Sequence, residues 1–140
     1  GFAGPQSPGT GFLGATLDDA TGFVNVTAGS YSGLLANSTN AHIHGPGGPS
    51  DSAGVVLQLI GPFGSPSGPL SGSVTLARSG FTTQQLVDAM LAGNTYVNVH
   101  STQFPGGEIR GQLLLVPEPA TAMCLLAGGG LLVVRRRRHA

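Results

Sequence analysis

The stretch "TYVNVHSTQFPGGEIRGQLLLV", residues 95–116, contains two predicted β-strands separated by a turn. In residues 96–100, polar or aromatic side chains alternate with two valines, which is the period of a strand with one buried face. Pro105, Gly106 and Gly107 favour a turn, and an apolar run follows it. The stretch therefore predicts sheet structure in this part of the chain.

Short apolar or alternating segments recur along the rest of the chain, separated by Gly, Pro, Ser and Asn about every dozen residues. These segments lie at 11–18, 22–29, 30–36, 41–45, 54–61 and 71–78. Such spacing is typical of an antiparallel β-sandwich or barrel. The predicted fold class is therefore all-β.

One segment has helical spacing instead. In "FTTQQLVDAMLAGN", residues 81–94, the apolar side chains recur at the interval of a helix face, and Gly93 can end the helix. Thr82 and Gln85 fit a capping box, in which each side chain bonds the backbone of the other residue. The sequence predicts a short helix at 82–92 that packs against the sheets.

The composition excludes nucleic acid as a partner. The chain has 140 residues, enough for one domain, and only 9% of them are charged. There is no lysine, and residues 1–115 carry five acidic side chains but only two arginines, Arg78 and Arg110. A mildly acidic domain lacks the basic surface that phosphate contacts require. The single cysteine, Cys124, excludes an internal disulfide.

The region at 116–140 differs in composition from the rest of the chain. It begins with the motif Val116, Pro117, Glu118 and Pro119. An apolar run at 120–134 follows, and a helix over these 15 residues would be about 22 Å long, against a bilayer core of about 30 Å. The run ends at the arginine cluster Arg135, Arg136, Arg137 and Arg138. The region predicts a marginal hydrophobic helix whose arginines stay in the cytoplasm.

These three parts, in this order, resemble the PEP-CTERM protein-sorting signal of Gram-negative bacteria. The resemblance implies that an exosortase, a membrane enzyme, recognises the tail near its Pro-Glu-Pro motif. It also implies an exported precursor, anchored in the inner membrane with its body outside, and a mature protein at the cell surface or outside the cell. Exopolysaccharide or matrix components are the partners that this location suggests. Other cleaved C-terminal anchors follow the same logic.

The body of the chain resembles CHRD (chordin-type) domains. The matching segments are "HIHG" at 42–45, "AGNTYVNVH" at 92–100 and "FPGGEIRGQ" at 104–112. The resemblance implies a CHRD domain at 1–115 with a truncated N-terminal strand. It further implies an immunoglobulin-like, Greek-key fold similar to that of copper/zinc superoxide dismutase. It implies no reaction, because no activity is established for the bacterial members.

His42 and His44 are two positions apart, so they share one face of a predicted strand at a spacing of about 6.5–7 Å. Together with His100 on another strand, they are similar to the histidines that hold copper in superoxide dismutase. Three imidazoles suit a single copper or zinc ion and leave one position open. Glu108 is a candidate acceptor for a ligating histidine, or it forms a structural pair with Arg110.

Other features argue against a dismutase. The stretch between His44 and His100 contains no histidine, so no imidazole can bridge a second metal ion. The disulfide of a dismutase needs two cysteines. The histidines can instead hydrogen-bond backbone carbonyls at the end of a strand. A mononuclear metal site and a purely structural role both stay open.

Three functions are compatible with these features. The sequence favours a non-enzymatic surface domain that acts by adhesion or matrix interaction. The alternative is a copper- or zinc-binding surface protein that uses the three histidines of the body. A hydrolase is the third, but the chain contains no G-x-S-x-G motif, phosphate-binding loop or Cys/His pair to support it.

Overall fold

The computed structural model describes residues 7–116, which form two antiparallel sheets and one helix. The elements in chain order are β1 (Thr10–Asp18), β2 (Phe23–Ser32), β3 (Ser38–His44), β4 (Val55–Gln58), β5 (Gly68–Pro69), β6 (Ser73–Thr75), α1 (Thr83–Leu91), β7 (Tyr96–Ser101) and β8 (Ile109–Gln112). The predicted all-β class with one short helix is confirmed.

The first sheet has one central strand and the second sheet has two. In the first sheet, β2 lies between β1 on one side and the short strands β5 and β6 on the other. The second sheet has the order β4-β3-β7-β8. An isolated bridge between Ile60 and Ser71 links the two sheets at one edge. The immunoglobulin-like, Greek-key connectivity stays a prediction.

The pairing of β3 with β7 contributes the centre of the hydrophobic core. Ala41 lies opposite Val99, and Ile43 lies opposite Val97. Ala41 and Ile43 are fully buried, and Val97 packs against the same core cluster. Full burial of a large apolar side chain stabilises a fold by about 1.5–3 kcal/mol. The core therefore fixes which residues of β3 and β7 face inward.

The alternate residues of the same strands lie on the outer face of the second sheet, because side chains alternate along a strand. His42 lies opposite Asn98, and His44 lies opposite Tyr96. Arg110 of β8 pairs with Asn98 in turn. Asn98 and Tyr96 are nevertheless only 5% and 3% exposed. The loops that follow β3 and β7 cover this face and bond both side chains.

Helix α1 is one residue shorter at each end than predicted, because residues 82 and 92 are its caps. The Thr82 side chain accepts a hydrogen bond from Gln85 N, and the Gln85 side chain accepts one from Thr82 N at 2.8 Å. The predicted capping box is therefore confirmed. Leu86 and Val87 are buried in the core cluster, so the helix packs against the sheets.

Two of the predicted segments are divided differently in the structure. The segments at 22–29 and 30–36 were expected to be separate, but β2 continues from the first into the second and stays paired with β1 as far as Ser32. The strand expected at 71–78 is shorter in the structure, where β6 covers only Ser73–Thr75, and the two-residue strand β5 precedes the predicted segment. Gly72 O accepts a hydrogen bond from Val26 N at 2.9 Å, so the chain between β5 and β6 stays beside β2.

Most of the predicted sorting region lies outside the described residues. This applies to Pro117, Glu118 and Pro119, to the hydrophobic helix at 120–134 and to the arginine cluster at 135–138. Val116 is described and is 81% exposed. Across residues 7–116, no helix is both long enough and apolar enough to cross a membrane.

The loop between β7 and β8 approaches the buried side chain of Asn98 closely. Asn98 Nδ2 donates a hydrogen bond to Gly106 O at 3.1 Å. The next residue, Gly107, has a φ of +118°, a conformation that favours glycine. A methyl group on Gly107 would overlap the Asn98 amide, whereas one on Gly106 would meet open space. The second glycine of the pair is therefore the one that the loop requires.

Gly107→Ala is expected to lower the free energy of unfolding by about 2–4 kcal/mol, because backbone strain adds to displacement of a buried amide. The matched change Gly106→Ala is expected to alter it by less than about 1 kcal/mol. Urea unfolding of both variants measures the difference. Equal effects in the two variants would contradict the close approach.

Candidate metal centre

Two histidines of β3 and one of β7 meet on the outer face of the second sheet; we refer to His42, His44 and His100 as the histidine trio. The ring of His42 lies 5.4 Å from that of His44 and 4.9 Å from that of His100, measured between centroids. The ligand atoms of the trio all lie within 4.8 Å of one another. Between residues 7 and 116, the trio is the one group of three such side chains that could hold a metal ion.

Backbone carbonyls hold one ring nitrogen in two members of the trio. His44 Nδ1 lies 2.8 Å from Ala53 O, and His100 Nδ1 lies 2.8 Å from Pro105 O. A carbonyl can only accept, so each Nδ1 donates, and in the neutral ring each Nε2 then keeps a lone pair. His44 Nε2 is buried without a hydrogen-bond partner in the described part of the chain. The two rings are thus held in the tautomer that a metal ion requires at Nε2.

A direct hydrogen bond joins His42 to His100. His42 Nδ1 lies 3.0 Å from His100 Nε2. Because His100 Nδ1 already donates to a carbonyl, His100 Nε2 accepts and His42 Nδ1 donates. In the metal-free trio this hydrogen bond joins His42 to His100, while His44 is held by Ala53 O.

The surroundings of His42 and His44 favour neutral imidazoles. Burial lowers the pKa of His42, and the nearby His100 and His44 lower it further, while a hydrogen bond with Gln58 opposes the shift. Burial also lowers the pKa of His44, against the effect of the bond to Ala53 O. At neutral pH both side chains are therefore uncharged, which is the form in which imidazole binds a metal.

Tyr96 and Arg110 form a stack on the ring of His44. The Tyr96 ring is parallel to the His44 ring, with centroids 5.0 Å apart and an interplanar angle of 3°. On Tyr96, the guanidinium carbon of Arg110 lies 3.3 Å from the ring centroid. The Tyr96 hydroxyl also accepts a hydrogen bond from Ala53 N at 3.0 Å. Tyr96 therefore positions both the His44 ring and the residue whose carbonyl bonds it.

Both arginines of the body bind the loop at 45–54, which follows β3. The carbonyl acceptors are Gly45 O for Arg78 and Gly48 O and Asp51 O for Arg110, at 2.5, 2.6 and 2.7 Å. Sequence reasoning did not assign Arg78 or Tyr96 to this region. Tyr96 shares the alternating face of His100, and that pattern is the signal that could have placed it there.

The carboxylate of Glu108 forms its hydrogen bonds with residues outside the histidine trio. Its carboxylate accepts from Ser7 Oγ at 2.6 Å and from Leu35 N at 2.5 Å. Glu108 is only 3% exposed, so these bonds tie the segment before β1 and the loop before β3 to the start of β8. The acceptor role expected for Glu108 beside a ligating histidine falls to backbone carbonyls instead. The pairing of Glu108 with Arg110 stays a prediction.

The CHRD domain model matches residues 2–113. The chain belongs to the CHRD domain family. In this CHRD protein, residues 115–138 match the PEP-CTERM protein-sorting motif. No match is found among curated proteins or among solved structures.

The second match indicates the route of the CHRD domain in the cell. The PEP-CTERM motif is a signal recognised by exosortase. The protein is therefore secreted, processed at the membrane, and located at the cell surface or outside the cell. The orientation of the precursor in the inner membrane stays a prediction.

Removing the Tyr96 hydroxyl is expected to loosen the tautomer of His44. In Tyr96→Phe the stacked ring remains, but Ala53 N loses its acceptor, so the Nδ1–H form of His44 loses about 1 kcal/mol of support. Nitrogen-15 NMR of the imidazoles in metal-free protein measures the tautomer ratio. The same change at the other buried tyrosine, Tyr31→Phe, is the matched control and is expected to leave His44 unchanged. An unaltered His44 signal in Tyr96→Phe would contradict the positioning role.

Glu108 is expected to make stability depend on pH in the acid range. Burial alone would raise the pKa of Glu108, but hydrogen bonds from Ser101, Ser7 and Leu35 lower it below its ordinary value. The ionised form therefore stabilises the fold fully above the unfolded pKa of about 4.3. That contribution is lost as the pH falls through the folded pKa.

Glu108→Gln is accordingly expected to cost about 1–3 kcal/mol at neutral pH and to flatten the acid dependence of the unfolding free energy. Urea unfolding at several values between about pH 3 and pH 7 measures both effects. Asp19→Asn, the matched change at an exposed acid, is expected to affect neither. An unchanged slope in Glu108→Gln would assign the acid sensitivity to other groups.

Proposed function

We propose that the CHRD domain binds one copper or zinc ion at the histidine trio, outside the cytoplasm. The observation that carries the proposal is the convergence of three ligand atoms within 4.8 Å of one another. The carbonyl bonds to His44 Nδ1 and His100 Nδ1 support it, because they leave the Nε2 atoms as acceptors. Imidazole nitrogen suits both copper and zinc.

The ligand atoms are Nδ1 of His42 and Nε2 of His44 and His100. Metal–nitrogen bonds of about 2.0–2.1 Å place the nitrogens around a tetrahedral ion roughly 3.3 Å apart. Ligand atoms that already lie within 4.8 Å reach this spacing through small rotations of the rings. Three protein ligands leave one coordination position for water or a small external ligand.

Metal binding moves one proton within the trio. In the metal-free protein, His42 Nδ1 donates to His100 Nε2, and the metal takes both of these atoms. The proton therefore leaves His42 Nδ1, and the other nitrogen of that ring carries one instead. Gln58 lies opposite His42 in the pairing of β3 with β4, and its amide oxygen can accept a hydrogen bond from that nitrogen. In the metal-bound form, bonds from His42 and His100 to the ion would replace the hydrogen bond between the two rings.

A mononuclear site with an open position suits a surface protein that captures copper or zinc from its surroundings. A dinuclear centre of the dismutase kind would need a second set of ligands, and the described residues form one group of three. The sorting signal supports an extracellular location for such a protein. The adhesion or matrix-binding role stays a prediction of the sequence.

Metal content tests the proposal. Metal-free protein is equilibrated with excess copper or zinc, freed of unbound ion, and analysed for bound metal, with about one ion per chain expected. His42→Ala/His44→Ala is expected to weaken binding by at least about 100-fold, since two of three ligands are lost. Circular dichroism verifies that the variant keeps its sheet content.

His139→Ala is the matched control, because it makes the same change at the one histidine outside the trio. It is expected to retain the full metal content. Protein that holds no metal after equilibration, or a double variant that binds as tightly as the parent, would contradict the proposal and leave the trio with a structural role.

A further inference from the structure

The histidine trio offers a metal ion three nitrogen ligands and no negative charge. Imidazole binds a metal in its neutral form, and no acid among residues 7–116 contributes a ligand atom to the group. The acceptors that fix His44 Nδ1 and His100 Nδ1 are backbone carbonyls rather than carboxylates. The ligands would therefore leave the formal charge of a bound ion uncompensated.

The cationic side chains of the body lie beside the trio. The guanidinium carbon of Arg110 lies 3.3 Å from the ring centroid of Tyr96, and the Tyr96 ring stacks on that of His44. Arg78 donates to the first carbonyl of the loop at 45–54, which follows His44 directly. Both arginines are thus fixed close to one ligand of the proposed site.

Acidic side chains in this region form their hydrogen bonds elsewhere. The loop at 45–54 contains one acid, Asp51, whose carboxylate accepts a hydrogen bond from Gly48 N at 2.9 Å. The carboxylate of Glu108 accepts from a serine and from a backbone amide that are distant in sequence. Within residues 7–116, neither carboxylate hydrogen-bonds the trio. The two arginines therefore outnumber the single acid of the loop that they bind.

We propose that the histidine trio binds copper(I) in preference to copper(II) and zinc(II). The three side chains are half-buried, and His44 Nε2 is buried. The cost of taking an ion out of water rises with the square of its charge, and a nearby cation repels a dication twice as strongly as a monocation. The monovalent ion therefore loses least free energy on both counts. The inference rests on metal binding at the trio, which is the proposed function.

The same preference would raise the reduction potential of the bound copper. Reduction adds one electron to copper(II) and gives copper(I) at the same three nitrogens. Each tenfold gain in the affinity for copper(I) over that for copper(II) raises the potential of this one-electron couple by about 59 mV. The potential is thus a second measure of the selectivity, independent of the affinity for zinc.

Competition experiments on the full-length, metal-free chain at neutral pH measure the three affinities separately. Copper(I) is titrated against bicinchoninate with ascorbate under nitrogen, and copper(II) and zinc(II) are titrated against chelators of known affinity. Copper(I) is expected to bind about tenfold or more tightly than either divalent ion, because the charge of the ion is the term that differs most. Voltammetry of the copper-loaded chain measures the potential.

Gln58→Glu tests the electrostatic cause. Gln58 is exposed and lies opposite His42, so the change adds one negative charge beside the trio with little change of shape. It is expected to reduce the preference for copper(I) by about tenfold and to lower the potential by about 59 mV. Asn25→Asp is the matched amide-to-acid change at an exposed position of the first sheet, and it is expected to alter neither quantity.

The possible failures are distinguishable. A parent chain that binds zinc(II) or copper(II) as tightly as copper(I) would overturn this inference and leave metal binding at the trio intact. An unchanged preference in Gln58→Glu would also overturn it, since charge would then not set the selectivity. A chain that binds none of the three ions would overturn both the inference and the proposed function.

Discussion

The antiparallel pairing of β3 with β7 is the constraint on which the rest of the structure depends. One face of this ladder places Ala41 and Ile43 in the core, where both are fully buried. The opposite face carries His42 and His44, with His100 on the neighbouring strand. A slip of one residue in either strand would exchange the two faces. Burial of the apolar side chains between the two sheets therefore places the imidazoles on the outer face of the second sheet.

The outer face of this sheet is covered, which separates it from an ordinary solvated sheet surface. Two loops supply the carbonyls of Ala53 and Pro105 to the imidazoles. Arg78 and Arg110, the two arginines of residues 1–115, donate hydrogen bonds to backbone carbonyls of the loop at 45–54. Both arginines therefore help to fix the loop whose Ala53 carbonyl bonds His44.

Patterns of side-chain type predicted much of the fold. The alternation in residues 96–100 predicted strand β7, but not the burial of Tyr96 and Asn98 on its polar face. The Thr82–Gln85 capping box predicted where α1 begins. The continuity of β2 was missed because glycine and serine near residue 30 favour a turn, whereas pairing with β1 keeps the strand extended. Long-range pairing overrode local preference at that point.

The candidate site could be predicted only in part. Strand periodicity places His42 and His44 on one face, but their approach to His100 depends on the register between β3 and β7. The partners of the imidazoles are backbone carbonyls, and a carbonyl carries no signal of residue type. Glu108 is an acid close in sequence to His100, yet its carboxylate accepts hydrogen bonds from Ser7 Oγ and Leu35 N, both of which are distant in sequence.

Metal binding at the trio is the central claim, and anomalous diffraction from crystals loaded with copper or zinc tests it most directly. The claim predicts one anomalous peak, about 2.0–2.1 Å from His42 Nδ1, His44 Nε2 and His100 Nε2, with the carbonyl bonds of the latter two rings retained. A loaded crystal without a peak at the trio, in which His42 still bonds His100, would contradict it.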